Sequence, residues 1–226
     1  LALRVIDPRD LLLSERAARV RHVVARRTRS VVVVLEDLED PHNVAAVLRT
    51  CESFGVQEVH AIARSYSFYP NSKISQGAEK WLDLHLYRDS QRCLSLLKRR
   101  GYLLCATHLG EGAVSLLELP ADRPLALVFG TEKVGVTGAV LGACDVRFKI
   151  PMLGFSQSFN ISVAAAISLS HLIFRRLAPG GREEGDLPPA EREALEHRFC
   201  ELSIKQRHRL FSWPVNGPAA VPSKKS

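Results

Sequence analysis

Six short apolar runs, spaced by helical or turn-rich stretches, limit what this chain can fold into more than any other feature. They cover residues 31–35, 58–62, 82–87, 102–106, 125–130 and 146–150. Val, Leu and Ile dominate them, and the apolar residues are mostly continuous where a half-exposed strand would alternate. This is the pattern of strands in a parallel sheet covered on both faces. Helical patterns stand between them. In 43–54, Val44, Val47, Leu48 and Cys51 recur at i, i+3, i+4 and i+7 as a core stripe, with Asn43, Ala46, Arg49, Thr50 and Ser53 on the other side. Residues 90–100 and 158–177 are further predicted helices. Strand and helix in turn over 31–177 predict one α/β domain with a mostly parallel sheet.

Two basic additions flank that body. Residues 1–30 form an N-terminal extension whose helix spans 14–27, with Ser14 as N-cap and Leu13, Ala17, Val20 and Val24 as its apolar stripe. Residues 178–226 supply a Pro- and Gly-rich linker (178–189), a charged helix (190–210) and a Pro- and Lys-rich tail. The net charge of +7 lies in these ends: 1–30 carry +5, 31–170 carry −1 and 171–226 carry +3. A near-neutral body with basic arms suits a polyanion. Solvated helix faces would produce the same charge pattern.

Composition narrows the class. With 46% hydrophobic and 24% charged residues in 226, the chain is neither a disordered tail nor a fibre. Its apolar stretches fall short of the roughly 20 residues of a membrane span. No leader-like segment opens the sequence, and because it begins at Leu1 a few residues are expected to precede it. The five cysteines (Cys51, Cys93, Cys105, Cys144, Cys200) are odd in number and never form C-x-x-C, and the eight histidines form no H-x-x-x-H pair. Reduced thiols, no metal and a cytoplasmic location are the expectation.

The common nucleotide and hydrolase motifs are missing: there is no P-loop, no G-x-G-x-x-G and no G-x-S-x-G. Three other segments put polar residues at strand ends, where α/β proteins bind ligands. The first runs Glu36-Asp37-Leu38-Glu39-Asp40-Pro41-His42-Asn43 into Ala46, Arg49 and Thr50. The second is Phe129-Gly130-Thr131-Glu132-Lys133-Val134-Gly135. The third is Ile150-Pro151-Met152-Leu153-Gly154, followed by Gln157-Ser158-Phe159-Asn160 and an Ala-rich helix. Each alone has a bland account: Asn43 caps a helix and Arg49 is solvated, the second is an ordinary βα turn, and Ser158 is an N-cap.

Together, in order, the three segments resemble the motifs of the TrmH (SpoU) branch of the SPOUT superfamily of RNA ribose 2′-O-methyltransferases. Asn43-x-x-Ala46-x-x-Arg49-Thr50 is similar to the first motif, Phe129 to Gly135 to the second, and Ile150-Pro151-Met152 through Ala164 to the third. The resemblance covers about residues 31–177. It implies an α/β fold, a mostly parallel sheet flanked by helices with a deep C-terminal trefoil knot, which chains otherwise avoid. The knot would involve the turns after Gly130 and Ile150 with helix 158–177 tucked through. It also implies S-adenosyl-L-methionine as cofactor and a homodimer. The Glu-Lys-x-Gly form of the second motif and the short arms are most like members that methylate a guanosine in the tRNA D-loop. Ribosomal RNA is the alternative substrate, and a non-catalytic RNA-binding factor the alternative class.

Carried across residue by residue, the resemblance nominates Asn43, Arg49, Glu132, Ser158 and Asn160 as catalytic. It nominates Phe129, Gly130, Ile150, Met152, Leu153, Ser158 and Asn160 as cofactor-binding. It assigns activation of the ribose hydroxyl to Arg49. A guanidinium is not normally deprotonated, so Arg49 is either neutralised in a buried cationic pocket or stays charged, clamps a phosphate and orients the hydroxyl; orientation is favoured. Arg16, Arg19, Arg26, Arg27, Arg175, Arg176, Arg198, Lys205, Arg207 and Arg209 are the phosphate-binding candidates, about half of them expected to be plain solvated charges. The acidic run Glu36 to Asp40 departs from a plain family member and is expected to repel RNA unless it faces away or binds a cation.

Overall fold

A computed structural model describes residues 7–64, 75–177 and 184–204. Seven strands form its sheet: β1 (Val31–Glu36), β2 (Glu58–Ile62), β3 (Asp83–Tyr87), β4 (Leu103–Thr107), β5 (Val114–Ser115), β6 (Leu125–Phe129) and β7 (Val146–Lys149). Their order is β3-β2-β1-β6-β4-β7-β5 and every neighbouring pair is parallel. The six predicted runs are all strands, with ends shifted by at most a residue. The seventh, β5, has two residues and no apolar run, and it exists only by pairing with β7.

The continuity of the apolar runs has a direct cause. Along β1, Val31, Val33 and Leu35 enter one core with Leu127, Phe129, Val44, Val47, Leu48, Leu169 and Leu172. Val32 and Val34 enter a second core on the opposite face with Ala126, Val128, Cys93, Leu94, Leu97 and Val140. Successive side chains point to opposite faces; both faces are covered, so every position from Val31 to Leu35 is apolar. The covering helices are α2 (Pro41–Ser53) and α5 (Ile161–Leu177) on the first face, and α3 (Ser90–Arg99) and α4 (Gly138–Ala143) on the second.

Helix starts differ from expectation where a cap decides. α2 begins two residues before Asn43, because Asp40 accepts the His42 N–H at 2.9 Å and Pro41 suits a first helical turn. α5 begins at Ile161, not 158: Asn160 Oδ1 accepts the Ser162 N–H at 2.9 Å, so Ser158 is not the cap. Ser14 is likewise the first residue of α1 (Ser14–Val24) and not its cap; Leu13 holds that place with no side-chain bond. No described helix is long and apolar enough to cross a membrane.

The two terminal additions pack on each other. α1 and α6 (Pro189–Ser203) share a third core of Val20, Val24, Leu187, Leu195, Phe199 and Cys200. The segment leading into β1 is clamped from the other terminus: Gly185 donates to Ala25 O at 2.7 Å, and Asp186 accepts from the Arg29 and Ser30 amides at 2.8 and 3.2 Å and from the Thr28 hydroxyl. A Cβ at Gly185 would collide with the Arg27 carbonyl, so only glycine fits this approach.

Charge ties this unit to the sheet. Arg29 pairs with Glu58, with Asp83 at 2.7 Å and with Glu191 at 2.9 Å. Arg100 grips Glu58 through two bonds of 2.7 and 2.8 Å, and Arg198 reaches Asp83 at 2.6 Å. Arg27 is fully buried on Glu52 at 2.8 Å. All five cysteines are free, and burial pushes Cys51, Cys93, Cys105 and Cys144 up to about 12, which keeps them protonated and unreactive.

Candidate active site

The C-terminal ends of β4, β6 and β7 and the start of α5 enclose a cavity of about 880 Å³. It lies where ligands bind in open α/β sheets. Leu109, Phe129, Ile150 and Met152 give it apolar walls, and Ser158 and Asn160 stand at its edge. Beyond β6 the chain turns sharply: Thr131 and Gly135 exchange backbone bonds of 3.1 and 2.8 Å, and Thr131 Oγ1 accepts the Val134 N–H at 3.1 Å. A Cβ on Gly130 would strike the Gly135 carbonyl, so glycine is required there. This turn presents Glu132.

Three nominated side chains from three distant segments meet here. Asn43 Nδ2 donates to Glu132 Oε1 at 3.2 Å, Asn160 Nδ2 donates to Asn43 Oδ1 at 3.0 Å, and Asn160 Nδ2 also donates to Glu132 Oε1. Asn43 is buried whereas Glu132 and Asn160 are exposed, so the trio anchors in the core and opens to solvent. Ser158 lines the cavity and has no partner among the described residues.

Of the seven cofactor candidates, Phe129, Gly130, Ile150, Met152, Ser158 and Asn160 line the cavity. Leu153 does not; it is fully exposed. Arg49 is exposed on α2, about 9 Å along the helix from Asn43. Its side chain has no hydrogen bond among the described residues and stands outside the cavity lining. The burial required to neutralise it is therefore not provided by this chain's described residues. Sequence reasoning passed over Thr107, His108 and Gly110 at the end of β4, which also line the cavity. Their signal was a polar pair and a glycine after a strand, the same kind that marked the other segments.

The acidic run does not face RNA as a bare patch. Glu36 accepts from Thr137 and Arg64, Asp37 accepts from the Arg64 backbone and guanidinium at 2.9 and 2.7 Å, and Asp40 caps α2. Partners within the chain account for three of its four acids. Elsewhere Glu58, His60 and His85 gather with their ligand atoms within 4.8 Å of one another, at the β2–β3 edge. Arg29 and Arg100 already hold both Glu58 oxygens there.

The basic candidates divide. Arg19, Arg26, Arg27, Arg175 and Arg176 line a second cavity of about 1050 Å³ at the opposite ends of the strands, with His22 and Arg123. Arg19 is exposed with no partner among the described residues. Arg16 donates to Ser203 at 3.3 Å and lies over the Trp81 ring. Arg175 bonds the Leu117 and Leu119 carbonyls at 3.2 and 2.8 Å, and Arg176 the Arg123 carbonyl at 2.5 Å. Arg27 and Arg198 are consumed by Glu52 and Asp83. The helix expected over 190–210 ends at Ser203, after which Ile204 is extended, and Lys205, Arg207 and Arg209 lie outside the described residues.

Comparison with known proteins adds identity to this geometry. The tRNA (guanosine(18)-2′-O)-methyltransferase of Thermus thermophilus is 38% identical over 174 residues, which cover 77% of this chain and 90% of that one. The Aquifex aeolicus TrmH/SpoU tRNA modifying enzyme superposes with a TM-score of 0.77 at 29% identity, over 84% of this chain and 98% of that one. The SpoU methyltransferase AviRb of Streptomyces viridochromogenes, solved with AdoMet, shares the fold at a TM-score of 0.61 and 20% identity, over 67% and 62% of the two chains. The pattern of the SpoU rRNA Methylase family matches residues 30–170. That match runs from the start of β1 well into α5 and includes every segment that meets at the cavity, so the chain belongs to the SpoU rRNA Methylase family.

Proposed function

We propose that this protein methylates the ribose 2′-oxygen of a guanosine in the D-loop of tRNA, using S-adenosyl-L-methionine. The observation that carries this reading is the bonded trio Asn43, Glu132 and Asn160 at the mouth of a cavity, in a chain whose relatives at this level of identity bear that activity in their names. The cavity suits the donor. At about 880 Å³ it is in the range of small-molecule sites, and its apolar walls cover a purine while backbone at Gly130 and Ile150 offers fixed donors and acceptors. When bound, the donor supplies an electrophilic methyl group on a sulfonium.

The chain's own residues do the rest. Phe129, Ile150 and Met152 exclude water, and Ser158 and Asn160 orient the ligand at the rim. The Glu132 carboxylate, held by two amides, favours a nearby positive charge. Arg49 stays charged and reaches a phosphate from its exposed place on α2, holding the ribose hydroxyl in line. Leu153 and Phe155 on the turn after Ile150, with Val163 in the first turn of α5, are exposed apolar residues beside the cavity, and we assign this surface to a second copy of the chain, making a homodimer. The turns after Gly130 and Ile150, with α5, are the segments of the proposed trefoil knot. The chain then divides into an N-terminal extension (1–30), a methyltransferase body (31–177) and a C-terminal linker, helix and tail (178–226), with a cytoplasmic location following from its substrate.

Purified protein, S-adenosylmethionine and separate tRNA and ribosomal RNA fragments, followed by mass-spectrometric mapping of ribose methylation, test the reading. A single methylated D-loop guanosine is expected. Methylation of ribosomal RNA alone would move the substrate, and none at all would leave a non-catalytic RNA-binding factor. The RNA face has its own test. Arg16, Arg19 and Arg26 changed together to Gln should flatten the dependence of log affinity on log salt by roughly two to three units. An unchanged slope would remove these three arginines from the interface.

A further inference from the structure

Glu36, the last residue of β1, is 1% exposed and has no place among the site residues above. Its Oε2 accepts the Thr137 backbone N–H at 2.9 Å and its Oε1 accepts the Thr137 hydroxyl at 2.6 Å. Arg64 donates to Oε1 as well, at 2.9 Å, and the same guanidinium binds Asp37. A carboxylate can receive all three donors because both its oxygens only accept.

Thr137 is the N-cap of α4 and lines the cavity. A threonine in that place ordinarily turns its hydroxyl onto the helix's own amides. Here it makes no such bond, and gives both donors to a buried acid from another element. α4 has only six residues, too few to hold its own start firmly. The wall from Gly130 to Thr137, which carries Glu132, is therefore tied at its far end to β1. Its near end is tied to β6.

We infer that Glu36 is a positioning residue that anchors the cavity wall 130–137 through Thr137 and thereby sets the affinity of the site for its methyl donor. The part concerning affinity rests on the reading of the cavity as the donor site; the anchoring itself does not. Glutamine at 36 keeps the shape but offers one accepting oxygen and sets its amide donors against those of Thr137 and Arg64.

The test measures two things on the full-length chain. Amide exchange over 131–137 without any ligand reports the anchor, and calorimetric binding of S-adenosylmethionine reports its consequence. Glu36→Gln is expected to speed exchange in that segment and to weaken binding about 10- to 100-fold, the worth of a hydrogen bond to a charged group, with the loss in KM and not in kcat. Thr137→Val, which leaves the carboxylate in place, should weaken binding in the same direction, and Thr137→Ser should restore it. The double variant Glu36→Gln/Thr137→Val should be no worse than Glu36→Gln alone. Binding within about twofold of the parent in folded Glu36→Gln, or in Thr137→Val, overturns the inference. If the parent chain fails to bind S-adenosylmethionine, the functional reading falls instead, and unaltered exchange in Glu36→Gln overturns the anchor by itself.

Discussion

Arg49→Lys is expected to lower the methylation rate at least about 100-fold while S-adenosylmethionine binds as tightly as before. The reason is positional. Arg49 lies outside the cavity lining, so the donor site does not depend on it, yet it is exposed on the helix that supplies Asn43 to the polar trio. A planar guanidinium holds a phosphate with two parallel bonds, and the lysine ammonium offers a point charge on a mobile stem. A misoriented nucleophile then loses what a fixed donor typically contributes, a factor of about 10² to 10³. Single-turnover methylation with calorimetry of donor binding separates the two effects. Full activity in Arg49→Lys would show that the guanidinium neither orients nor activates the hydroxyl.

Glu58→Gln is expected to destabilise the chain by about 3–5 kcal/mol, the usual effect of breaking a buried ion pair from one side. Glu58 is 3% exposed at the start of β2 and receives Arg29, two bonds from Arg100 and His60 at 3.2 Å. Without its charge, two guanidiniums face each other across a neutral amide. For a domain of this size the loss corresponds to roughly 6–20 °C in Tm. The pH dependence has a definite sign. Burial pushes the Glu58 carboxyl up, but the bonds from His60 and Arg100 and the charges of Arg29 and Arg100 outweigh it, holding the group well below the usual carboxylate range. The folded state thus binds this proton less readily than the unfolded one. Its contribution is complete above the unfolded value, near pH 4.3, and drains away as pH falls toward the folded one. The stability gap between parent and variant should therefore narrow below about pH 4. A gap that stays constant from pH 7 to pH 3 would show that Glu58 acts through packing and not through charge.

Both effects depend on residues that the sequence displays unequally. Asn43, Glu132 and Asn160 were legible because each follows a strand inside a recognisable motif, and the structure brings them into mutual hydrogen-bond range. Glu36 was visible only as part of an acidic run set against RNA; that it is buried, and turned onto Thr137 a hundred and one positions away, is a matter of sheet order. His108 was passed over because β4 reaches the cavity only by lying between β6 and β7. The charge pattern of the terminal arms points to two basic grips, whereas α1 and α6 share a core, and Arg27 and Arg198 are spent on Glu52 and Asp83.

By itself the order of apolar and polar residues determined the parallel α/β sheet, the stripe of α2 and the polar groups offered at strand ends. Those properties follow from continuous apolar runs and from a periodicity of about 3.6 residues, which are local. Only the tertiary structure decided which cations remain open to a phosphate, where α5 begins and which acid steadies the cavity. Charge belongs to a residue, but pairing belongs to neighbours such as Asp186 for Thr28 or Asp83 for Arg198, more than a hundred positions apart along the chain.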